Sequence, residues 1–316
     1  MTNLAACAAL PILLAISMAC KADEAPKLDF SATQVSPGLY MLMGVGGFTG
    51  GNIGLSIGED GVVMIDDSMP PMLDIMKKAI GSVTDKPVDF LINTHVHGDH
   101  TGNNAAIAGD GAHIVAHENL RKYLLEHGVQ SADGMKPAPK SSLPVITFSR
   151  EMDLYLNGQD AHIFHVAHAH TDGDIVIQFR GANVIHTGDV LFNGMFPFID
   201  LDSGGSVTGY LAAQKQVFAL TDDKTKIIPG HGALASKADL KASIDMLEDS
   251  MTLINAQIKA GKTEDEVVAL NPLAKYHDKW NWAFTTTENM TRQLYKGLST
   301  LASPVSSSKV GHEHSH

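Results

Sequence analysis

Short apolar runs broken by glycine-rich turns fill the first two thirds of the chain. Residues 39–43, 52–57 and 62–66 read as strands, separated by the glycine-rich stretch 44–51 and the turn Gly58-Glu59-Asp60-Gly61. Pro70 or Pro71 opens a helix reaching Ile80, and residues 88–93 form a short apolar run of the kind a buried strand shows. A second series follows, with strands at 114–116, near 154–156, and at 161–166, 175–179 and 183–186, and a helix over 118–126. Beyond Gly205 the chain turns helical. Residues 206–219 form one helix, 226–229 a last strand, and Ser236 with Asp239 caps a long helix ending near Ala260 at Gly261. Thr263 with Glu266 caps a short one. Strands and helices mixed without strict alternation predict an α/β fold, two sheets faced by helices in a single domain over 30–300.

Composition narrows the picture. With 44% hydrophobic and 18% charged residues, the 316-residue chain is neither disordered, collagenous nor coiled coil. A net charge of −12 with no basic patch excludes a phosphate-backbone partner, so no nucleic acid is expected. The two cysteines, Cys7 and Cys20, lie in the first twenty residues, leaving the body without a disulfide, a thiolate ligand or a cysteine nucleophile. Nothing in the sequence sets the oligomeric state.

Residues 4–20 carry no charge and close on small residues, as a secretory signal peptide over 1–20 does. Ser17-Met18-Ala19-Cys20 also fits loosely a lipoprotein site at which Cys20 becomes acylated. A periplasmic or secreted protein, lipid-anchored if Cys20 is acylated, is the expectation. Residues 21–30 read as a polar linker. The Ser-rich tail 305–316, with His312, His314 and His316, is expected to be disordered.

The chemistry gathers at strand ends. After the run 88–93 comes Thr94-His95-Val96-His97-Gly98-Asp99-His100, four metal-binding side chains within six residues of a tight loop. His170 lies past the strand 161–166, Asp189 past 183–186 and His231 past 226–229. Imidazoles and carboxylates without thiolate suit zinc, while leaving iron and manganese open.

In this order, Asp66, HVHGDH at 95–100, His170, Asp189 and His231, the motifs resemble the metallo-β-lactamase superfamily over roughly residues 35–235. The resemblance implies a four-layer αββα sandwich, here with added C-terminal helices. It also implies two zinc ions, one held by His95, His97 and His170, the other by Asp99, His100 and His231, with Asp189 bridging. Asp66 would support the ligand loop by hydrogen bonding, and His186 is a candidate for the same role. Di-iron redox relatives place a glutamate where this chain has His97, which favours hydrolysis.

Two Zn²⁺ against Asp99, Asp189 and a bridging hydroxide leave one positive charge, which suits an anionic small-molecule substrate. The expected reaction is attack of metal-bound hydroxide on a cyclic amide or ester, with Asp99 orienting the nucleophile. One β-lactamase subclass has a cysteine where this chain has Asp189 and a substrate-gripping lysine where it has Phe192. Asp189 points instead to the glyoxalase, lactonase and nuclease branches, whereas export favours β-lactams. The leading expectation is therefore an exported β-lactamase conferring antibiotic resistance; the alternatives are a lactonase, esterase or thioesterase, and a non-catalytic periplasmic zinc-binding protein. Phe48, Phe192 and Met195 are the candidate pocket residues. His113, His117, His127, His162, His165, His168 and His277 read as surface or hydrogen-bonded core histidines.

Overall fold

The computed structural model describes residues 27–131 and 133–302; the predicted signal peptide, Cys20 and the histidine tail lie outside them. One sheet has the order β1-β2-β3-β4-β5-β6-β9, with β1 Asp29–Ser36, β2 Leu39–Val45, β3 Ile53–Gly58, β4 Gly61–Ile65, β5 Phe90–Ile92, β6 His113–His117 and β9 Ile146–Phe148. Between β6 and β9 lies the hairpin β7 Val129–Ser131 and β8 Gly134–Lys136. The other sheet runs in sequence order through β10 Glu151–Leu156, β11 Gln159–His165, β12 Ile175–Phe179, β13 Val184–Phe192, β14 Lys226–His231 and β15 Ala235–Ser236. The helices are α1 Leu73–Gly81, α2 Gly98–Thr101, α3 Asn104–Gly109, α4 Glu118–His127, α5 Val207–Ala219, α6 Lys237–Lys259, α7 Glu264–Leu270, α8 His277–Trp280 and α9 Thr287–Ala302.

The layers follow from the two-residue period of the strands. On β4, Val63 and Ile65 pack between the sheets against Ile163, Ile177 and Ile228, while Val62 and Met64 pack outward with Met76 and Ile80 of α1. On the far sheet, Val176, Ile185 and Ile227 meet Ala213 and Val217 of α5 and Leu240 and Ile244 of α6. The result is the αββα sandwich. A further cluster joins Phe196 and Tyr210 to the C-terminal helices α6, α7 and α9.

Three departures from the sequence pattern have local causes. β1 occupies part of the expected linker; it is an edge strand, and its middle four residues are exposed, so no alternation marks it. β13 runs six residues beyond His186, buried throughout, because its register against β14 shifts around Gly188. Gly188 has φ +49°, and a Cβ there would lie 2.5 Å from Thr94 Oγ1, so only glycine lets these backbones approach. Finally, α9 was not among the expected elements, although Met290, Leu294 and Leu298 recur every four residues along its buried face.

β4, β5 and β6 are parallel, as are β13 and β14. The C-terminal ends of β4, β5, β13 and β14 carry Asp66, the loop 93–97, Asp189 and His231 to one rim of the sandwich.

Candidate metal centre

HVHGDH spans two local structures rather than one loop. His95 lies in the bend that follows β5, and His97 (φ −64°, ψ 147°) leads into the single helical turn α2, which carries Asp99 and His100. Thr101 Oγ1 donates to the Val96 and His97 carbonyls and pins that junction. The structure brings the seven candidate ligands into two groups. His95, His97, His170 and Asp189 form one, Asp99, His100 and His231 the other, and in each the donor atoms lie within 4.8 Å of one another. Asp189 joins them: its Oδ2 lies 3.4 Å from both His170 Nε2 and His231 Nε2, and its Oδ1 lies 3.2 Å from His100 Nε2.

Four of the imidazoles are oriented by a partner on their outer nitrogen. A carboxylate or carbonyl can only accept, so it fixes the ring's proton there and leaves the inner nitrogen bare. His100 Nδ1 donates to Asp66 Oδ2 (2.8 Å), His170 Nδ1 to the Phe198 carbonyl (2.7 Å) and His97 Nε2 to Asp200 Oδ2 (2.9 Å). Thr94 Oγ1 donates to Asp66 Oδ2 (2.7 Å), so its lone pair accepts from His95 Nδ1 (3.0 Å). Asp66 Oδ1 takes the Thr94 backbone N–H as well (2.7 Å). Asp66 is fully buried, and its φ of 61° holds the carboxylate under the ligand loop.

These inner atoms suit a divalent cation. His97 Nδ1 and His170 Nε2, both bare, face each other at 2.8 Å, an approach of two lone pairs that needs positive charge beside it. His95 Nε2 and Asp189 Oδ1 are buried without a hydrogen-bond partner. The donor set is imidazole and carboxylate throughout.

The electrostatics divide the two groups. Burial lowers His95 well below the usual imidazole range and His170 to about 4, so both are neutral ligands at neutral pH. Burial also opposes charge on His231, yet Asp189 and Asp99 outweigh it and raise His231 to about 9. Asp99 stays ionised, its pKa lowered to about 2 because His100 and His231 outweigh burial.

A cavity of about 510 Å³ opens above the centre. His97, Asp99, Asp189 and His231 form its floor; Phe48, Phe192, Phe198, Trp282 and Phe284 form its walls. Phe48 and Phe192 both lie nearly parallel to the His231 ring, at 17° and 18°. No Lys or Arg lines it among the described residues.

Of the candidate pocket residues, Phe48 and Phe192 line this cavity, whereas Met195 lies against Gly232, outside the lining. His186 is buried but touches no candidate ligand; its Nδ1 accepts the Gly188 N–H beside Asp189 (3.2 Å). His168 points outward and donates to the Gly204 carbonyl. Sequence reasoning missed Asp200, Thr94, Trp282 and Phe284. Of these only Thr94, directly before the ligand His95, stood beside the motif in the sequence.

A buried histidine and aspartate cluster on the strand-end rim of an αββα sandwich defines a metal-dependent hydrolase class. The chain belongs to the metallo-beta-lactamase superfamily, whose model matches residues 46–231. It is 25% identical over 207 residues to the 2,4-dinitroanisole O-demethylase subunit alpha of Nocardioides sp. (strain JS1661), covering 65% of this chain and 59% of the relative. It is 29% identical over 146 residues to a hydroxyacylglutathione hydrolase of Polaromonas sp. (strain JS666 / ATCC BAA-500), covering 45% of this chain and 47% of the relative. The chain thus spans about half the length of these curated relatives. A metallo-beta-lactamase from Pontibacter korlensis shares the fold, with TM-score 0.58 and 16% identity over 70% of this chain and 99% of that one.

Proposed function

We propose that this chain is a dinuclear zinc hydrolase of an uncharged apolar carboxylic ester or lactone. The observation that carries this reading is the aromatic cavity, which opens on the candidate metal centre with no Lys or Arg in its described lining. One relative supports it: its name refers to 2,4-dinitroanisole, an uncharged aromatic. A β-lactam needs a grip for its carboxylate, and the wall position expected to hold one is Phe192, buried at 2% exposure.

His95, His97 and His170 would hold one zinc ion and Asp99, His100 and His231 the other, with Asp189 shared. When bound, the pair supplies Lewis acidity, lowering the pKa of water from ~15.7 toward ~7 and polarising the scissile carbonyl. Asp99 is the more exposed of the two inner carboxylates and faces the cavity, so it orients the attacking water and receives a proton at its Oδ. Asp66 and Asp200 hold His100 and His97 in their tautomers. Phe48, Phe192 and Trp282 exclude bulk water and seat the apolar part of the substrate.

Each methylene buried in such a cavity contributes about 0.8 kcal/mol, about fourfold in kcat/KM. A series of p-nitrophenyl acyl esters should therefore show kcat/KM rising about fourfold per methylene until the 510 Å³ cavity fills. Chelation should abolish it and zinc restore it. A flat or falling series, with a chromogenic cephalosporin or an anionic thioester as the best substrate, would overturn the proposal.

A further inference from the structure

The cavity mouth carries an apolar rim that the hydrolysis of a soluble ester does not require. Phe48 and Phe284, which both line it, are 57% and 59% exposed, and the lining residues Pro70 and Pro71 are exposed as well. Isolated exposed apolar side chains are common, but a cluster around one opening marks an interaction surface.

Where the chain enters the fold indicates what this surface meets. Lys27 and Leu28 lie directly against Gly46 and Gly47, so closely that a Cβ on either glycine would collide with them. Phe48 is the next residue. The chain therefore reaches the domain at the cavity mouth, by the rim aromatic. Upstream, residues 4–20 form an uncharged run ending at Cys20, only seven residues before Lys27. Seven residues span at most about 25 Å even when fully extended. A domain of about 275 residues is roughly 50 Å across, estimated from its radius of gyration. An apolar or acylated segment ending at residue 20 and held in a bilayer would keep the mouth side nearest the lipid, and the far side could not reach it.

We propose that the rim formed by Phe48, Pro70, Pro71 and Phe284 docks on a phospholipid bilayer, so that the cavity opens onto the membrane surface. Charge selects the lipid. A chain of net charge −12 is repelled by anionic headgroups, so the surface is zwitterionic. Tyrosine and tryptophan favour the boundary between headgroup and acyl chain, and Trp282 lines the cavity in van der Waals range of Phe284 (ring centroids 5.7 Å). Among the described residues no helix is long and apolar enough to cross a membrane, so the domain would rest on the surface. Substrates would then enter from the lipid phase, where apolar esters concentrate.

Trp282 also provides the test, independent of catalysis. The only other tryptophan, Trp280, is buried at 4% exposure and serves as an internal reference. Full-length protein is mixed with phosphatidylcholine vesicles brominated near the headgroup end of the acyl chain. The expected result is co-sedimentation with quenching of Trp282, identified by loss of the quenched signal in Trp282→Phe. Phe48→Ser/Phe284→Ser should still co-sediment through the N-terminal segment but lose at least half the quenching. Failure of the wild type to bind, binding without quenching, equal quenching in the double variant, or a sedimenting dimer that shields Trp282 would each overturn the proposal.

Discussion

Asp66→Asn separates orientation of the ligands from the ligands themselves. The side chain is fully buried and accepts three hydrogen bonds, from the Thr94 backbone, Thr94 Oγ1 and His100 Nδ1. Asparagine keeps the shape but replaces one acceptor oxygen with a donor. With its oxygen toward the Thr94 N–H, its NH₂ opposes the His100 Nδ1–H. The conflict is relieved when His100 moves its proton to Nε2, the atom that faces His231 at 3.4 Å and would bind metal. Loss of such a supporting partner costs 10- to 100-fold in metal affinity, about 1.4–2.8 kcal/mol. A buried donor left unpaired costs a further ~1–3 kcal/mol of stability. Competition against a chromophoric chelator at pH 7.5 should show the Asp99, His100 and His231 group weakened by that factor. The group containing His97 and His170 should change less, since their outer partners are Asp200 and the Phe198 carbonyl. Unchanged affinity in both groups, with a native melting curve, would refute the orienting role of Asp66.

Four further outcomes follow from the same geometry. Asp99→Asn should abolish metal-dependent turnover while leaving the circular dichroism spectrum native; retained turnover under metal-clean conditions would remove Asp99 from the reaction. Gly188→Ala should destabilise by about 2–5 kcal/mol, combining the left-handed φ of +49° with a Cβ 2.5 Å from Thr94 Oγ1, and a thermal melt within 2 °C of the parent would contradict it. The metal-free protein should lose stability between about pH 7 and 9. His231, at about 9 when folded against 6.5 unfolded, contributes stability present below pH 6.5 and lost as pH rises toward 9; between pH 6.5 and 4 the lowered His170, at about 4, and the raised Asp174, at about 7, act in opposite directions, so the loss on the alkaline side is the steeper one. Melting curves across that range check the sign, and titration calorimetry in two buffers should detect proton release on metal binding at pH 7.

The ligands were legible in the sequence because most are polar residues at or just past an apolar run, a position that core packing does not require. Asp66, His170 and His231 fit this pattern, while Asp189 stands inside β13, three residues beyond His186. The layered fold followed from the same strands. The cavity wall was not legible. Trp282 and Phe284 lie some ninety residues from Asp189, and nothing local in Asn281-Trp282-Ala283-Phe284 marks them. They reach the mouth through long-range bonds, Trp282 Nε1 to the Phe196 carbonyl and the Phe196 N–H to the Trp280 carbonyl. Asp200 was hidden for a related reason: its role depends on a loop folding back 103 residues to His97. Chemistry concentrated at strand ends declares itself locally, whereas a surface assembled from distant segments does not.

The floor and most of the walls of the cavity thus come from different parts of the chain. The floor is drawn from backbone that the sandwich cannot rearrange, while the aromatics arrive on three segments, around residues 48, 192–198 and 282–284, that meet only at the opening. Of the three, the segment 192–198 is tied to the floor, through Phe192 beside His231 and the Phe198 carbonyl that orients His170, so a substitution there reaches the metal ligands, whereas an exchange of the exposed Phe48 or Phe284 alters the opening alone.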